Sequence, residues 1–226
     1  MIILHTTKYS DNSLIIHGYS LDKGRIGLIL RGVHTNGGKK RNSWSKGNSI
    51  SILHPLNIID VEVYENHKGG MESIKEYSPR FQLNSIRSDI TKSSMTMFIS
   101  ELLYRTLVTP EKDELMYDFI VNSILLLEGL TGSAANFHLW FMICYCERLG
   151  FAPIGDFGSE FDPFSEEEKN ILKELYSGTF AQAMDIQLNA GLRRSIIESI
   201  IKYMEYHTGS RIKLNSLPVL QTIFRV

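Results

Sequence analysis

The feature that most constrains the fold is a change in the spacing of apolar residues along the 226-residue chain. Before about residue 78, apolar residues come in short runs bounded by Gly, Asn, Asp or Ser, as is typical of β-strands. After about residue 92 they recur at spacings of three and four, which indicates helices. The sequence therefore predicts an α+β protein in which strands come first and helices follow.

The strand-like runs suggest a small antiparallel β-barrel or sandwich of five or six strands, and we predict a first domain over residues 1–78. Hairpin turns are expected at Asp22-Lys23-Gly24 and at residues 67–70. The runs are IILH (2–5), SLIIHGYS (13–20), RIGLILRG (25–32), SISILH (49–54), NIIDVEVYE (57–65) and GMESIKEY (70–77).

The helical part is predicted to form a second domain over residues 79–226. Ser165 and Glu168 form a capping box that begins one helix, and Gly178 can end it. The last segment, LNSLPVLQTIFRV, has the apolar spacing of a short helix that docks on the rest. The other helical segments are SMTMFISELLYRTLV, DELMYDFIVNSILLLEGL, ANFHLWFMICYCERLG and GLRRSIIESIIKYMEYH.

Charge is distributed unevenly, although the net charge is only -1. Residues 1–100 carry 13 Lys/Arg against 8 Asp/Glu, residues 101–190 carry 5 against 15, and residues 191–226 carry 6 against 2. From Lys23 to Ile59 there are seven cations and no acid. A stretch of this kind indicates a surface that faces a polyanion.

A polar loop, RGVHTNGGKKRNSW (31–44), lies in the middle of this acid-free stretch and connects two predicted strands. It is not a mononucleotide P-loop, because Val33 stands where the first glycine is required and Lys40 where Ser or Thr is required. Its cations can neutralise backbone phosphates, and a tryptophan can stack on an exposed base. A small barrel with such a loop is typical of an oligonucleotide/oligosaccharide-binding (OB) fold. We therefore predict nucleic-acid contacts from Lys23, Arg25, Arg31, Lys39, Lys40, Arg41, Trp44 and Lys46.

Other interpretations of the loop are open at this stage. It could be a solvated loop without a ligand, or the barrel could bind RNA, since nothing in the loop is specific for a 2′-hydroxyl. The chain could also be a protein-only adaptor whose basic loop docks on an acidic partner. An enzyme is not supported, because no candidate nucleophile has an adjacent base and the histidines show no metal-type pairing.

Composition and cysteine usage indicate a cytoplasmic protein. The chain is 43% apolar and 22% charged, as in ordinary globular proteins. No run approaches the roughly 18 apolar residues that cross a bilayer, and MIILHTTKYS lacks the pattern of a signal peptide. The two cysteines, Cys144 and Cys146, are too close together for a disulfide framework, which agrees with a reducing compartment.

Six segments occur in order over nearly the whole chain: HTTKYSDNSLIIHGYSLDKGRIGLILRGV, ILHPLNIIDVEVYE, ISELLYRTL, ANFHLWF, ERLGFAPIGDF and LNSLPVLQTIFR. Together they resemble the bacterial RecO family of recombination mediators, especially the Bacteroidetes-like forms. The resemblance implies an OB fold followed by a helical domain, in a non-enzymatic DNA repair protein associated with the nucleoid. It further implies binding of single- and double-stranded DNA, annealing of strands, and loading of RecA with RecR onto strands coated by single-strand-binding protein.

The resemblance also implies binding residues. The basic stretch that follows the third strand in the family is matched here by Arg31-Gly32-Val33 and the cations after it, whereas Trp44 rests on physical reasoning alone. The acidic, hydrophobic tail of single-strand-binding protein is expected to dock on the helical domain, where it needs a cation beside an apolar pocket. The available cations are Arg148, Arg193, Arg194, Arg211 and Lys213.

One departure from the family concerns zinc. Many members carry a four-cysteine site after an L-G-[FY]-x-P segment, but here residues 149–153 are followed by IGDFGSEFDPF, without cysteine. Cys144 and Cys146 precede that segment on a predicted helix, where their side chains point about 200° apart. We expect no zinc and no other cofactor, with helix packing in place of the metal. His138 is expected to be hydrogen-bonded or partly exposed.

Overall fold

A computed structural model describes residues 1–33, 50–64, 70–154 and 161–224. It has the predicted α+β order, with strands first and helices after them. The strands are β1 (Ile2–Ser10), β2 (Ser13–Ser20), β3 (Gly24–Arg31), β4 (Ile59–Tyr64) and β5 (Ser73–Pro79), with a 3₁₀ helix at Ile50–Ile52. The helices are α1 (Asn84–Ser88), α2 (Ile90–Thr106), α3 (Glu114–Gly129), α4 (Phe137–Arg148), α5 (Glu166–Ser177), α6 (Phe180–Asp185), α7 (Ala190–Thr208) and α8 (Leu217–Ile223).

The chain forms two compact units, and each contains parts of α2 and α3. Unit 1 comprises Met1–Asn84 and Ile99–Ile124, and unit 2 comprises Ser85–Phe98 and Leu125–Val226. The sequence-based division into domains 1–78 and 79–226 stays a prediction.

Unit 1 contains one five-stranded sheet in the order β1-β2-β3-β5-β4. Its pairs are antiparallel except for β3 and β5, which meet in parallel at Ile29 and Ser73. Among the described residues, the edge strand β1 reaches the segment before β4 only at the bridge between Ile2 and Ile58. The sheet is curled but not closed, so the predicted barrel overstates its closure.

Side-chain alternation along the strands separates a core face from an outer face. In β3, Leu28 and Leu30 are buried in the core, so Arg25 and Arg31 fall on the outer face. The buried core cluster consists of Met1, Ile3, Ile16, Leu28, Leu30, Val33, Leu53, Ile59, Ile74 and Tyr77.

The prediction of a strand at SISILH was wrong. Ile50–Ile52 is a 3₁₀ turn in which the N–H of Leu53 donates to the carbonyl of Ile50 at 2.9 Å. The following Pro55 has no N–H to donate to a strand ladder. Leu53 is nevertheless buried, so the apolar pattern contributes to the core without strand pairing. The predicted hairpin turn at residues 67–70 falls largely outside the described residues.

The predicted capping box at the start of α5 is confirmed. The Ser165 hydroxyl accepts from the Glu168 N–H, and the Glu168 carboxylate accepts from the Ser165 N–H at 2.8 Å. Glu168 is only 4% exposed and also accepts hydrogen bonds from the hydroxyls of Ser195 and Ser199 on α7. Its carboxylate therefore ties α5 to α7, and the sequence did not predict that contact.

His138 on α4 contradicts the expectation of a hydrogen-bonded or partly exposed side chain. It is 3% exposed, its ring meets Phe98 edge-on and stacks on Phe224, and its Nδ1 has no partner among the described residues. Burial, reinforced by the charge of Arg193, lowers the pKa of His138 to about 3. The imidazole is therefore neutral in the folded protein at neutral pH.

This burial predicts a specific acid sensitivity. Below its ordinary pKa of about 6.5, His138 takes up a proton in the unfolded chain but not in the folded one, so stability falls as the pH falls. Between pH 7 and pH 5 we expect the wild type to lose about 2 kcal/mol more than His138→Leu. Urea unfolding at both pH values measures the difference, and equal losses would show that the histidine protonates in the folded state.

Two glycines, one at the start of β3 and one at the end of α7, provide a matched pair for testing how tightly the start of β3 is packed. Gly24 and Gly209 both have left-handed backbones, with φ of 59° and 64°. A Cβ on Gly24 would lie 2.0 Å from the Glu111 carbonyl oxygen, whereas a Cβ on Gly209 would have nothing within 4 Å. Gly209→Ala should cost about 1–2 kcal/mol of backbone strain, and Gly24→Ala a further 1–3 kcal/mol or so from the clash. Equal destabilisation in urea titrations would mean that the Glu111 segment moves away freely.

Candidate functional site

The predicted basic loop falls largely outside the described residues, which include neither Lys39, Lys40 and Arg41 nor Trp44 and Lys46. Its flanking residues are described. Val33 is buried and its N–H donates to the Asn12 carbonyl at 3.0 Å, and the 3₁₀ helix at 50–52 leads into the buried Leu53. Both flanks of the loop are therefore anchored to the core of unit 1.

The three described cations of the predicted interface do not gather in one place. The Lys23 ammonium contacts both carboxylate oxygens of Glu72 at 2.9 Å. The Arg25 guanidinium lies over the ring of Tyr104, 4.3 Å from its centroid. Arg31 is exposed and has no ion pair among the described residues. Arg31 lies about 20 Å along β3 from Arg25, at the end of the strand where the loop begins. Of the three cations it is therefore the one that adjoins the loop, and its charge is uncompensated.

The outer face of the sheet carries a cluster that the sequence analysis did not identify. His5 on β1 pairs with His17 on β2, and Arg25 lies on β3 beside them. Tyr104 of α2 contacts all three, with its ring centroid 4.7 Å from that of His5 and 5.3 Å from that of His17. We call these four residues the outer-face cluster. Strand alternation could have placed His17 and Arg25 on one face, but His5 joins them through a register shift after the core residue Ile3, and nothing in the sequence indicated that shift or Tyr104.

The outer-face cluster carries little charge. Burial lowers the pKa of His5 and of His17, and nearby guanidinium groups lower both further. Burial also lowers the pKa of Arg25, whose Nη1 has no hydrogen-bond partner among the described residues. With both histidines neutral at neutral pH, Arg25 supplies the positive charge of the cluster.

Unit 2 contains a cavity of about 190 Å³ between α4, α7 and α8. Ile197, Leu220 and Phe224 form an apolar part of its lining. Arg193 and Arg194 line it as well, so the cavity combines an apolar floor with two cations.

The first turn of α7 gives this cavity a further preference for anions. Ala190 and Gly191 line the cavity, and the first N–H groups of a helix have no acceptor within it. Arg193 donates from Nε to the Asn136 side-chain oxygen at 3.2 Å, which fixes it, while the more exposed Arg194 pairs with Glu198 at 2.9 Å. The cavity can therefore hold an apolar group that carries a carboxylate.

The other three cations predicted to bind a partner tail do not line the cavity. Arg148 lies in the last turn of α4 and is exposed. Arg211 and Lys213 are also exposed, on either side of Ile212, whose N–H donates to the Glu205 carboxylate at 2.7 Å. The five predicted cations thus divide into two at the cavity and three elsewhere.

Both cysteines lie on α4, as predicted, and both are free thiols. Burial raises the pKa of Cys144 to about 12 and raises that of Cys146 as well. In the described part of the chain, no three His, Cys, Asp or Glu side chains converge as a metal site would require. The expectation that zinc is absent stays a prediction. None of the described helices is long and apolar enough to cross a membrane.

Comparison with known proteins gives consistent matches. Residues 1–82 match the family model Recombination protein O N terminal, and residues 87–160 match Recombination protein O C terminal. The chain is 28% identical over 240 residues to the DNA repair protein RecO of Flavobacterium psychrophilum and 28% identical over 244 residues to that of Porphyromonas gingivalis. Each alignment covers 99% of this chain and 97% of the relative. The chain therefore belongs to the RecO family of DNA repair and recombination proteins.

Proposed function

We propose that this protein is a non-enzymatic recombination mediator that binds single- and double-stranded DNA and anneals complementary strands. With RecR, it would help to load RecA onto strands coated by single-strand-binding protein. The observation that carries the proposal is the acid-free stretch of seven cations from Lys23 to Ile59, in a chain that matches RecO proteins along its length. We propose no cofactor.

The physical basis of the proposed annealing is charge neutralisation. Two complementary strands repel each other through their phosphates, and cations that replace the condensed counterions reduce that repulsion. The basic loop supplies Lys39, Lys40, Arg41 and Lys46 between two anchored flanks, with the exposed Arg31 beside it. Loops on a rigid scaffold commonly carry binding residues, and both flanks of this one are held by the core of unit 1.

We further propose that the unit 2 cavity receives the C-terminal tail of single-strand-binding protein. A cavity of about 150 Å³ in another protein accepts benzene, so about 190 Å³ can hold one large apolar side chain. The tail's carboxylate would then face Arg194, Arg193 and the first amides of α7. This geometry favours Arg193 and Arg194 over the other three candidate cations.

Reversing the loop charges tests the DNA-binding proposal. In the triple variant Lys39→Glu, Lys40→Glu, Arg41→Glu, single-stranded DNA should bind more weakly, and the slope of log affinity against log salt should fall by at least about 2. Fluorescence anisotropy across a salt series measures both. A matched control reverses the same amount of charge at three exposed cations outside the acid-free stretch, Arg87, Lys112 and Lys173.

The outcomes of this titration separate the alternatives. Equal weakening of both variants would show a general effect of net charge. Unchanged binding in the loop variant would place the site elsewhere, and no binding by the wild type even at low salt would favour a protein-only adaptor. A matched RNA strand that competes as well as DNA would favour an RNA-binding protein.

The cavity is tested by titrating a tail peptide against single charge reversals. Arg194→Glu should weaken binding by about ten-fold or more, because it replaces a charge-assisted contact with repulsion. Arg211→Glu makes the same change in charge away from the cavity and should bind as the wild type does. A peptide with an amidated C-terminus should bind weakly both to the wild type and to Arg211→Glu. Loss of binding in Arg211→Glu alone would place the tail outside the cavity.

A further inference from the structure

Two stacked pairs of rings lie at the C-terminal end of α7. Phe151 stacks on His207 with centroids 4.9 Å apart and planes 6° from parallel, and Phe161 stacks on Tyr206 at 4.8 Å and 19°. Tyr206 and His207 meet edge to face at 5.3 Å, so the four rings form one cluster. Tyr206 is 48% exposed, and His207 is also exposed. The cluster therefore presents aromatic surface to solvent while its inner rings hold it rigid.

Three exposed cations lie on the same helix face as Tyr206 or in the segment held at the end of α7. Lys202 lies four residues before Tyr206, and therefore on the same face of the helix. Arg211 and Lys213 flank Ile212, whose N–H donates to Glu205 and so holds this segment against the end of α7. In the described part of the chain, Lys202, Arg211 and Lys213 form no ion pair. The three cations outnumber the one carboxylate among them, that of Glu205, so the surface beside the exposed ring is positive overall.

We propose that this surface binds single-stranded DNA and is a second DNA site, separate from the basic loop of unit 1. Bases stack on exposed aromatic rings while cations follow the phosphates, and this pairing is how single strands are bound without sequence preference. A duplex would not use the ring, because its bases are already stacked on one another. We call the site the α7 surface, formed by Lys202, Tyr206, His207, Arg211 and Lys213.

A second strand site explains how one chain can anneal DNA, and the inference rests on the proposed annealing function. Annealing requires two complementary strands to be held close together with their bases available for pairing. One site on each strand achieves this, whereas a single site would have to release one strand before accepting the other. Unit 1 would contact one strand through the basic loop, and unit 2 would contact the other through the α7 surface.

The test uses neutralising variants of the α7 surface in the full-length chain. The triple variant Lys202→Gln, Arg211→Gln, Lys213→Gln should lower the salt slope of single-strand binding by about 2 and slow annealing. Tyr206→Ala should weaken binding by about five-fold or more, and Tyr206→Phe, which keeps the ring, should not. The control neutralises Arg87, Lys112 and Lys173, which changes the net charge by the same amount. Tail-peptide binding should be unchanged in every variant, which confirms that unit 2 is folded.

A second measurement locates the contact directly. A single strand containing 5-iodouracil, which crosslinks to stacked aromatic rings on irradiation, should attach to a peptide that contains Tyr206. The crosslink should persist when the loop charges are reversed, since the two sites are separate. A crosslink that disappears with the loop charges would show a single site and overturn the proposal.

The possible outcomes distinguish the α7 surface from the proposed function itself. A wild type that neither binds nor anneals DNA overturns both. If the wild type binds and anneals DNA and the α7-surface variants behave like the control, only the proposal of a second site is overturned. A triple variant that loses activity while Tyr206→Ala keeps it overturns the stacking role and leaves a purely electrostatic contact.

Discussion

The arrangement of unit 1 depends on the hydrogen bonds that join the first residues of β1 to the segment before β4. The N–H of Ile3 donates to the carbonyl of Asn57, and the N–H of Ile59 donates to that of Met1, both at 2.9 Å. This bridge curls the sheet around its apolar face. Strand alternation then directs Arg25 and Arg31 outward, and the buried Val33 anchors the residue at which the basic loop begins.

Pairing with carboxylates and aromatic rings decides which cations are available to a polyanion. Lys23 pairs with Glu72, and Arg25 packs on Tyr104, so both are already engaged within unit 1. Arg31, by contrast, is exposed and forms no ion pair among the described residues. Exposed ion pairs contribute little to stability, but a cation already paired gains less from a phosphate than a free one. Of the three described cations in the acid-free stretch, Arg31 is therefore the one left available to a polyanion.

The sequence predicted the order of strands and helices and the Ser165–Glu168 cap because these depend on local spacing and local hydrogen bonds. The strand prediction failed at SISILH, because a 3₁₀ turn that buries Leu53 has the same apolar pattern as a strand. The sequence also did not indicate the contact of Tyr104 with the outer face, because that contact joins residues far apart in the chain. The cavity beside α7 likewise depends on three helices whose packing no local pattern encodes.

The aromatic rings at the end of α7 hold the flanks of residues 155–160, where this chain has no cysteine, and they also form the proposed DNA contact. Both flanks of residues 155–160 pack on α7: Phe151 stacks on His207, the Tyr203 hydroxyl donates to the Ala152 carbonyl at 3.3 Å, and Phe161 stacks on Tyr206. Ring packing on α7 thus holds both flanks of residues 155–160, and the absence of zinc stays a prediction. Tyr206 packs one side of its ring against Phe161 and is still 48% exposed, and this exposed part is where we propose that a base stacks.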